Sequence, residues 1–190
     1  MNRTISILTL ALTLLLPAAA EAQHPQTRQG FGISFGLGAG SAGFCDDCDE
    51  LGGTEFSGYL RLGGYLTPSV FLAGESNGWV GGSIGDEFDA SSMGAIMAVV
   101  QWYPMADQGL YLKGGLGYSY ADPTTEISTS GFAGSAGAGY DLRLGRNFAL
   151  TPYINYLQQF GGTLSYTGGI DTGVDAKVHL FQFGLGFTWF

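Results

Sequence analysis

The last segment of the chain alternates strictly between two kinds of side chain. From Phe181 to Trp189 every odd-numbered residue is large and apolar, whereas the residues between them are glutamine, glycine and threonine. A period of two is that of a β-strand, whose successive side chains point to opposite faces. The segment that starts at Gly30 repeats the pattern, with Phe31 and Ile33 alternating with glycine and serine. The sequence therefore predicts strands that each have one bulky face and one small or polar face.

Eight runs of this kind follow one another, each roughly ten to fifteen residues long and bounded by turn-forming residues. The predicted strands are Gly30–Gly40, Phe56–Leu66, Val70–Val80, Ser92–Tyr103, Gly109–Ala121, Gly131–Leu144, Phe148–Phe160 and Ala176–Phe190. Long and short connections alternate between them, and the long ones are predicted as loops over Ser41–Glu55, Gly81–Ser91, Asp122–Ser130 and Gly161–Asp175. An even number of strands with loops at one end and tight turns at the other is typical of an up-and-down barrel.

The composition of the two faces decides between a soluble and a membrane barrel. If the bulky residues pointed inward, the outer surface would consist mainly of glycine, serine and alanine, and charged residues make up only 12% of the chain. With the bulky face outward, the apolar side chains meet lipid, and closure leaves no unpaired backbone edge in hydrocarbon. We therefore predict an all-β fold, an eight-stranded antiparallel up-and-down transmembrane β-barrel. A soluble ligand-binding barrel is the alternative fold.

The N-terminal segment has the features of an export signal. Arg3 precedes the apolar run Ile5–Leu16, and Ala20-Glu21-Ala22 supplies a small-x-small cleavage site. We expect residues 1–22 to be a signal peptide, residues 23–29 to be a disordered lead-in, and residues 30–190 to form the barrel domain.

Five charged residues lie on the small, polar face of the predicted strands. We expect them to face the lumen and to form an ion-pair network that fills it, with three positive and two negative charges. They are Arg61, Glu75, Lys113, Asp141 and Arg143. The alternative is that one or two of them, chiefly Arg143 near a turn, are solvated at a membrane edge.

Aromatic residues near the strand ends predict two interfacial girdles. At the short-turn end these are Tyr65, Trp102, Tyr103, Phe148 and Trp189, and at the loop end Phe56, Trp79, Tyr120, Phe132 and Phe160. The alternative is that aromatic residues simply favour strands. Pro152 lies within a predicted strand of a closed sheet, where we expect a local bulge.

Acidic residues are concentrated in the predicted loops. They are Asp46, Asp47, Asp49, Glu50, Glu55, Asp86, Glu87, Asp89, Asp122, Glu126, Asp171 and Asp175. Such loops solubilise the exposed end, and weak binding of divalent cations is the sharper hypothesis because hard oxygen ligands suit calcium or magnesium. Cys45 and Cys48 lie in the densest acidic patch, and in an exported chain we expect them to form a small-loop disulfide.

The sequence offers few groups for chemistry. It has no basic cluster for nucleic acid, and we expect no cofactor, no metal centre and no catalytic residue. A lipid-modifying barrel enzyme would need a histidine beside a serine and an acid, and His179, on the predicted lipid face, has no serine on its local face.

The last strand also carries a recognisable motif. Its alternating residues, which end in Phe187, Trp189 and Phe190, resemble the C-terminal assembly signal of bacterial outer-membrane proteins, and the chain resembles the small OmpA/OmpX-type β-barrel family. Phe190 departs from the family pattern because it lies out of phase with the lipid-facing residues. The resemblance implies an outer-membrane location, with membrane lipid, lipopolysaccharide and the barrel assembly machinery as partners.

These observations favour an anchoring or surface-interaction role through the acidic loops. A narrow, porin-like channel for small or hydrophobic solutes is the alternative, and a lipid-modifying enzyme is a third hypothesis.

Overall fold

A computed structural model of the protein describes residues 28–44, 54–84, 88–124, 127–166, 170–175 and 177–190. Its strands are β1 Gly30–Phe44, β2 Glu55–Thr67, β3 Val70–Ile84, β4 Phe88–Trp102, β5 Leu110–Thr124, β6 Ile127–Tyr140, β7 Leu142–Arg143, β8 Phe148–Gln159, β9 Thr163–Tyr166, β10 Ile170–Asp175 and β11 Val178–Trp189. None of the described residues forms a helix that is long and apolar enough to cross a membrane.

Eight long strands close into a barrel. Strands β1 to β6 pair in chain order, β6 pairs with β8, β8 with β11, and β11 returns to β1, where Phe187 stands opposite Phe35. Every one of these ladders is antiparallel. The predicted eight-stranded antiparallel barrel is therefore confirmed. The turns after β2, β4 and β7 define its short-turn end, and the opposite end is called the loop end.

The strands extend further toward the loop end than the sequence predicts. Strands β3 and β4 stay paired up to Ile84 and Phe88, and β5 and β6 stay paired up to Thr124 and Ile127. Much of the predicted loops Gly81–Ser91 and Asp122–Ser130 is therefore strand. The residues of these extensions lack the apolar alternation by which a membrane strand is recognised, and so the sequence predicts these strands too short.

The expected bulge at Pro152 is not found. The register is the same on both sides of it, with Gly139 opposite Tyr153 and Leu142 opposite Leu150. The partner strand is instead interrupted at Asp141, between β6 and β7. Proline has no N–H for the ladder, and the interruption lies on the strand beside it. The Asp141 N–H still donates to Gly109 O at 2.9 Å, which continues the register between β5 and β6.

The outer surface is formed by bulky apolar side chains. Leu116 is 70% exposed and Ile96 71%, and Phe183 and Leu185 also point outward. The charged residues Arg61 and Glu75 lie on the opposite face and are buried. The barrel is therefore a cylinder with an apolar outer surface that encloses its polar groups.

Large aromatic side chains also lie inside, which corrects part of the girdle prediction. Trp79 is 1% exposed and donates its indole N–H to Gly40 O at 2.8 Å, and Tyr103 is equally buried. Tyr65 is half-buried against this core. Glycines make the room, because a Cβ added at Gly36 would collide with interior tyrosine rings. The lumen therefore contains aromatic rings stacked over glycines as well as small and ionic groups.

Candidate functional site

The middle of the lumen holds a cluster centred on one carboxylate. Glu75 on β3 stands directly opposite Arg61 on β2. Arg61 Nε donates to Glu75 Oε2 at 2.6 Å, and Lys113 Nζ donates to Oε1 at 2.5 Å from β5. Asn77 Nδ2 donates to the same Oε1 at 2.8 Å. Both carboxylate oxygens are therefore satisfied, and the contacts tie three strands together across the barrel.

These charges are enclosed rather than displayed. The side chains of Arg61, Glu75 and Lys113 are each at most 1% exposed. A buried charge is tolerated when it is paired and hydrogen-bonded, whereas removal of one partner leaves the other uncompensated. The Arg61 guanidinium also lies over the Tyr59 ring at 4.5 Å, which closes the space on that side. We call Arg61, Glu75, Asn77 and Lys113 the mid-lumen cluster. It fills the middle of the barrel with charged groups, each of which needs its partner to be stable there.

A second cluster closes the short-turn end. Asp141 Oδ1 accepts from Thr151 Oγ1 at 2.9 Å, and Asp141 Oδ2 accepts from the Tyr103 hydroxyl at 2.9 Å. Burial raises the pKa of Tyr103 well above its ordinary value, so the phenol keeps the proton that it donates. Arg28 Nη2 lies 3.9 Å from Asp141 Oδ2. We call Arg28, Tyr103, Asp141 and Thr151 the short-turn cluster.

Arg28 belongs to the segment that we expected to be a disordered lead-in, and for this residue the expectation is wrong. Its guanidinium is buried 3.7 Å from the centre of the Tyr103 ring. It donates to Ala106 O at 3.1 Å and to Gln108 O at 2.6 Å, both in the turn between β4 and β5. The alternation of β1 carries a signal for this position. Arg28 is an even number of residues before Ser34, which faces the lumen, and so it falls on the same face.

The five predicted lumen residues all lie inside, but in two groups. Arg61, Glu75 and Lys113 meet in the mid-lumen cluster, and Asp141 lies in the short-turn cluster. Arg143 is 8% exposed and lies over the Phe190 ring at 5.2 Å. Among the described residues, the buried charged side chains are these five and Arg28, which gives four cations and two carboxylates.

The aromatic residues of the proposed assembly signal separate in the structure. Phe187 and Trp189 point outward and pack against Phe148, with ring centres 5.6 and 4.8 Å away. Phe190 turns the other way, and its ring centre lies 6.0 Å from that of Tyr65 in the short-turn mouth. The out-of-phase position of Phe190 thus places its ring across this end of the lumen.

The other candidate groups lie apart from the lumen or outside the described residues. The His179 ring is half-buried and stacks on Tyr156 at 6.3 Å. Cys45 and Cys48 lie outside the described ranges, as do acidic residues 46, 47, 49 and 50. Within the described part of the chain, no group of three or more His, Cys, Asp or Glu side chains is placed to hold a metal ion.

Comparison with known proteins places this geometry in context. A family model described as the outer membrane protein beta-barrel domain matches residues 8–188. No curated protein matches the sequence. Neisserial surface protein A has a similar structure, with a TM-score of 0.60 and 11% identity over 86% of this chain and 99% of that one. The attachment invasion locus protein Ail of Yersinia pestis gives a TM-score of 0.53 and 14% identity over 85% of this chain and 99% of that one. These two similarities are similarities of fold.

Proposed function

The chain belongs to the outer membrane protein beta-barrel domain family and is a protein of the outer membrane, and we propose that it is a sealed anchor that displays acidic loops at the membrane surface. The observation that carries this proposal is the double closure of the lumen. The mid-lumen cluster fills the middle of the barrel, and the short-turn cluster fills one end. A solute would have to break buried ion pairs at one level and a hydrogen-bonded carboxylate at the next.

The loop end provides the surface for interaction. A membrane strand needs about 9–11 residues to cross the hydrocarbon, whereas β3 and β4 have 15 residues each. Their outermost residues pair only with one another, because the ladder from β2 ends at Val80 and the ladder from β5 ends at Ser92. A two-stranded ribbon therefore extends beyond the ring, and in the sequence Asp86 and Glu87 lie between its two strands.

Charge indicates the chemistry of the partner. The sequence concentrates the acidic residues named above in the predicted loops, and the chain has a net charge of −9. Ail has been solved with the heparin analogue sucrose octasulfate, which is a polyanion. Acidic loops repel such a ligand, so the partner of this chain is a cationic surface, or an anionic one such as lipopolysaccharide that is bridged by divalent cations.

A binding assay tests the display role. Proteoliposomes that contain the refolded protein are passed over immobilised polylysine and, separately, titrated with calcium. We expect retention by polylysine, and we expect much weaker retention after Asp46→Asn, Asp47→Asn, Asp49→Asn and Glu50→Gln are combined. Asp107→Asn, which removes a charge at the opposite end, is the control and should retain wild-type binding. Equal retention of all three proteins, or no retention of any, contradicts the display role.

The channel hypothesis and the enzyme hypothesis make different predictions. A passage for small or hydrophobic solutes predicts liposome swelling in those solutes, whereas a sealed anchor predicts none. His179, the residue on which an enzyme would depend, has its ring stacked on that of Tyr156 and lying over Gly43. An enzyme would alter the lipid composition of cells and lose that effect on His179→Ala.

Export and assembly complete the proposal. We propose that residues 1–22 are removed as a signal peptide, that Cys45 and Cys48 form a disulfide, and that the strand ending in Phe187, Trp189 and Phe190 is read by the barrel assembly machinery. Mass spectrometry of the protein from outer membranes should give a chain that starts at Gln23 and lacks two hydrogens until it is reduced.

A further inference from the structure

The mid-lumen cluster carries more positive than negative charge. It contains the cations Arg61 and Lys113 and the single carboxylate Glu75. The other buried charges of the described chain, Arg28, Asp141 and Arg143, lie toward the short-turn end. One positive charge is therefore left uncompensated in a region of low dielectric constant, where an unpaired charge is costly.

Three buried polar atoms without a hydrogen-bond partner lie on the strands that complete this part of the lumen. Asn155 Nδ2, Tyr153 Oη and Gln182 Oε1 make no hydrogen bond to any described group. All three residues are at most 4% exposed. Buried polar atoms in native proteins nearly always have a partner. Asn155 Nδ2 and the Tyr153 hydroxyl are donors, and Gln182 Oε1 is an acceptor.

The register brings these atoms to the mid-lumen cluster. Lys113 stands opposite Gly137, Gly137 opposite Asn155, and Asn155 opposite Gln182, in one row across four strands. The Asn155 side chain leans over Gly137, toward the strand that carries Lys113, because a Cβ at Gly137 would meet Asn155 Oδ1. Gln182 Nε2 reaches across the barrel and donates to Gly78 O at 3.3 Å.

Gly78 is adjacent to Asn77, which donates to Glu75. The Tyr153 ring centre lies 4.8 Å from that of Tyr59, whose ring also lies under the Arg61 guanidinium. The unpartnered donors and the uncompensated charge therefore border one region of the lumen, with glycine rather than a bulky side chain between Lys113 and Asn155.

We propose that this region binds a small monovalent inorganic anion, such as chloride, beside Lys113 and Asn155. An anion supplies the missing negative charge and accepts hydrogen bonds from Asn155 Nδ2 and the Tyr153 hydroxyl. A cation is disfavoured because Glu75 already receives hydrogen bonds on both oxygens. Gln182 Oε1, an acceptor, takes a hydrogen bond from water at the edge of the site.

The test is thermal unfolding of the refolded full barrel in bromide and in gluconate at constant ionic strength. A ligand that binds the native state alone raises the melting temperature with its concentration. We expect bromide to raise it and gluconate not to. Lys113→Met leaves Arg61 and Glu75 as a pair without net charge. The bromide concentration needed for a given rise in melting temperature should then increase at least about tenfold, which corresponds to about 1.4 kcal/mol. Arg146→Met removes the same charge at an exposed turn and should leave the response unchanged.

Two further measurements keep the proposal testable if Lys113→Met fails to fold. Asn155→Ala keeps the charges and should weaken the bromide response. Crystals grown in bromide should give an anomalous peak within hydrogen-bonding distance of Asn155 Nδ2. A lumen that holds water alone gives no such peak and no difference between bromide and gluconate, and either result overturns the proposal.

Discussion

Arg61 and Glu75 stand opposite each other in the ladder between β2 and β3, and Arg61 Nε donates to Glu75 Oε2 over 2.6 Å. Because Lys113 reaches the other carboxylate oxygen from β5, this cross-strand pair is part of a brace across the barrel. This brace of buried side chains stabilises the barrel from inside, and both of its cations depend on the single carboxylate of Glu75.

Removal of that carboxylate should therefore be costly. Glu75→Gln keeps the size of the side chain but leaves Arg61 and Lys113 without a counter-charge, and we expect a loss of about 3–5 kcal/mol in the free energy of unfolding. Urea titration in detergent micelles, followed by tryptophan fluorescence, measures it. Asp107→Asn, a solvent-exposed change, should stay within about 0.5 kcal/mol. Equal stability of the two variants would show that the brace contributes little.

The outward face of β5 gives a test of orientation. Leu116 is near the middle of its strand and 70% exposed to lipid, so Leu116→Arg should cost about 2–4 kcal/mol. Leu66 is equally outward but lies at the short-turn end of β2, and Leu66→Arg should cost about 0–1 kcal/mol. Reversible unfolding in lipid vesicles compares them. A cost that does not depend on depth would contradict the placement of these residues in lipid.

The glycines under the interior rings should not tolerate a methyl group. A Cβ at Gly139 would collide with the Tyr111 ring, and overpacking of this kind costs about 1–3 kcal/mol. Gly114 has no heavy atom within 4 Å of the same position and serves as the matched control. Melting temperatures of Gly139→Ala and Gly114→Ala should therefore differ, with the first below wild type. If Gly139→Ala melts at the wild-type temperature, the ring does not pack over this glycine.

Removal of the Arg28 guanidinium tests whether this residue stabilises the turn between β4 and β5. Arg28→Ala leaves Ala106 O and Gln108 O without their donor and Asp141 without its nearest cation, so we expect a loss of about 1–3 kcal/mol. The neighbouring Gln29 is exposed, and Gln29→Ala should be neutral. Urea unfolding measures both variants. A neutral Arg28→Ala would mean that the residue is buried without bracing the turn.

Much of the fold could be predicted because a closed membrane sheet leaves few choices. Lipid on one side and a narrow lumen on the other impose a period of two, and an even strand count follows from the alternation of long and short connections. The same parity places Phe183 and Leu185 outside and Arg61 and Glu75 inside, as the structure has them.

The remaining features depend on contacts between strands, which periodicity does not report. Trp79 and Tyr103 look like interfacial residues because they lie near strand ends, yet both are buried inside, where Gly81 makes room for the Trp79 ring. Arg28 shares the lumen-facing parity of β1, but its bonds to the turn between β4 and β5 depend on contacts that parity does not report. The division of the lumen charges into two clusters depends on side-chain reach and on the interruption at Asp141, which only the register shows.

A sealed anchor requires a lumen that is closed to solutes, and single-channel recording shows whether it is. Refolded protein that shows the heat-modifiable gel mobility of an intact barrel is inserted into a planar bilayer and recorded in potassium chloride. We predict a baseline that stays flat as protein is added. Uniform current steps whose number rises with the amount of inserted protein would contradict the sealed anchor.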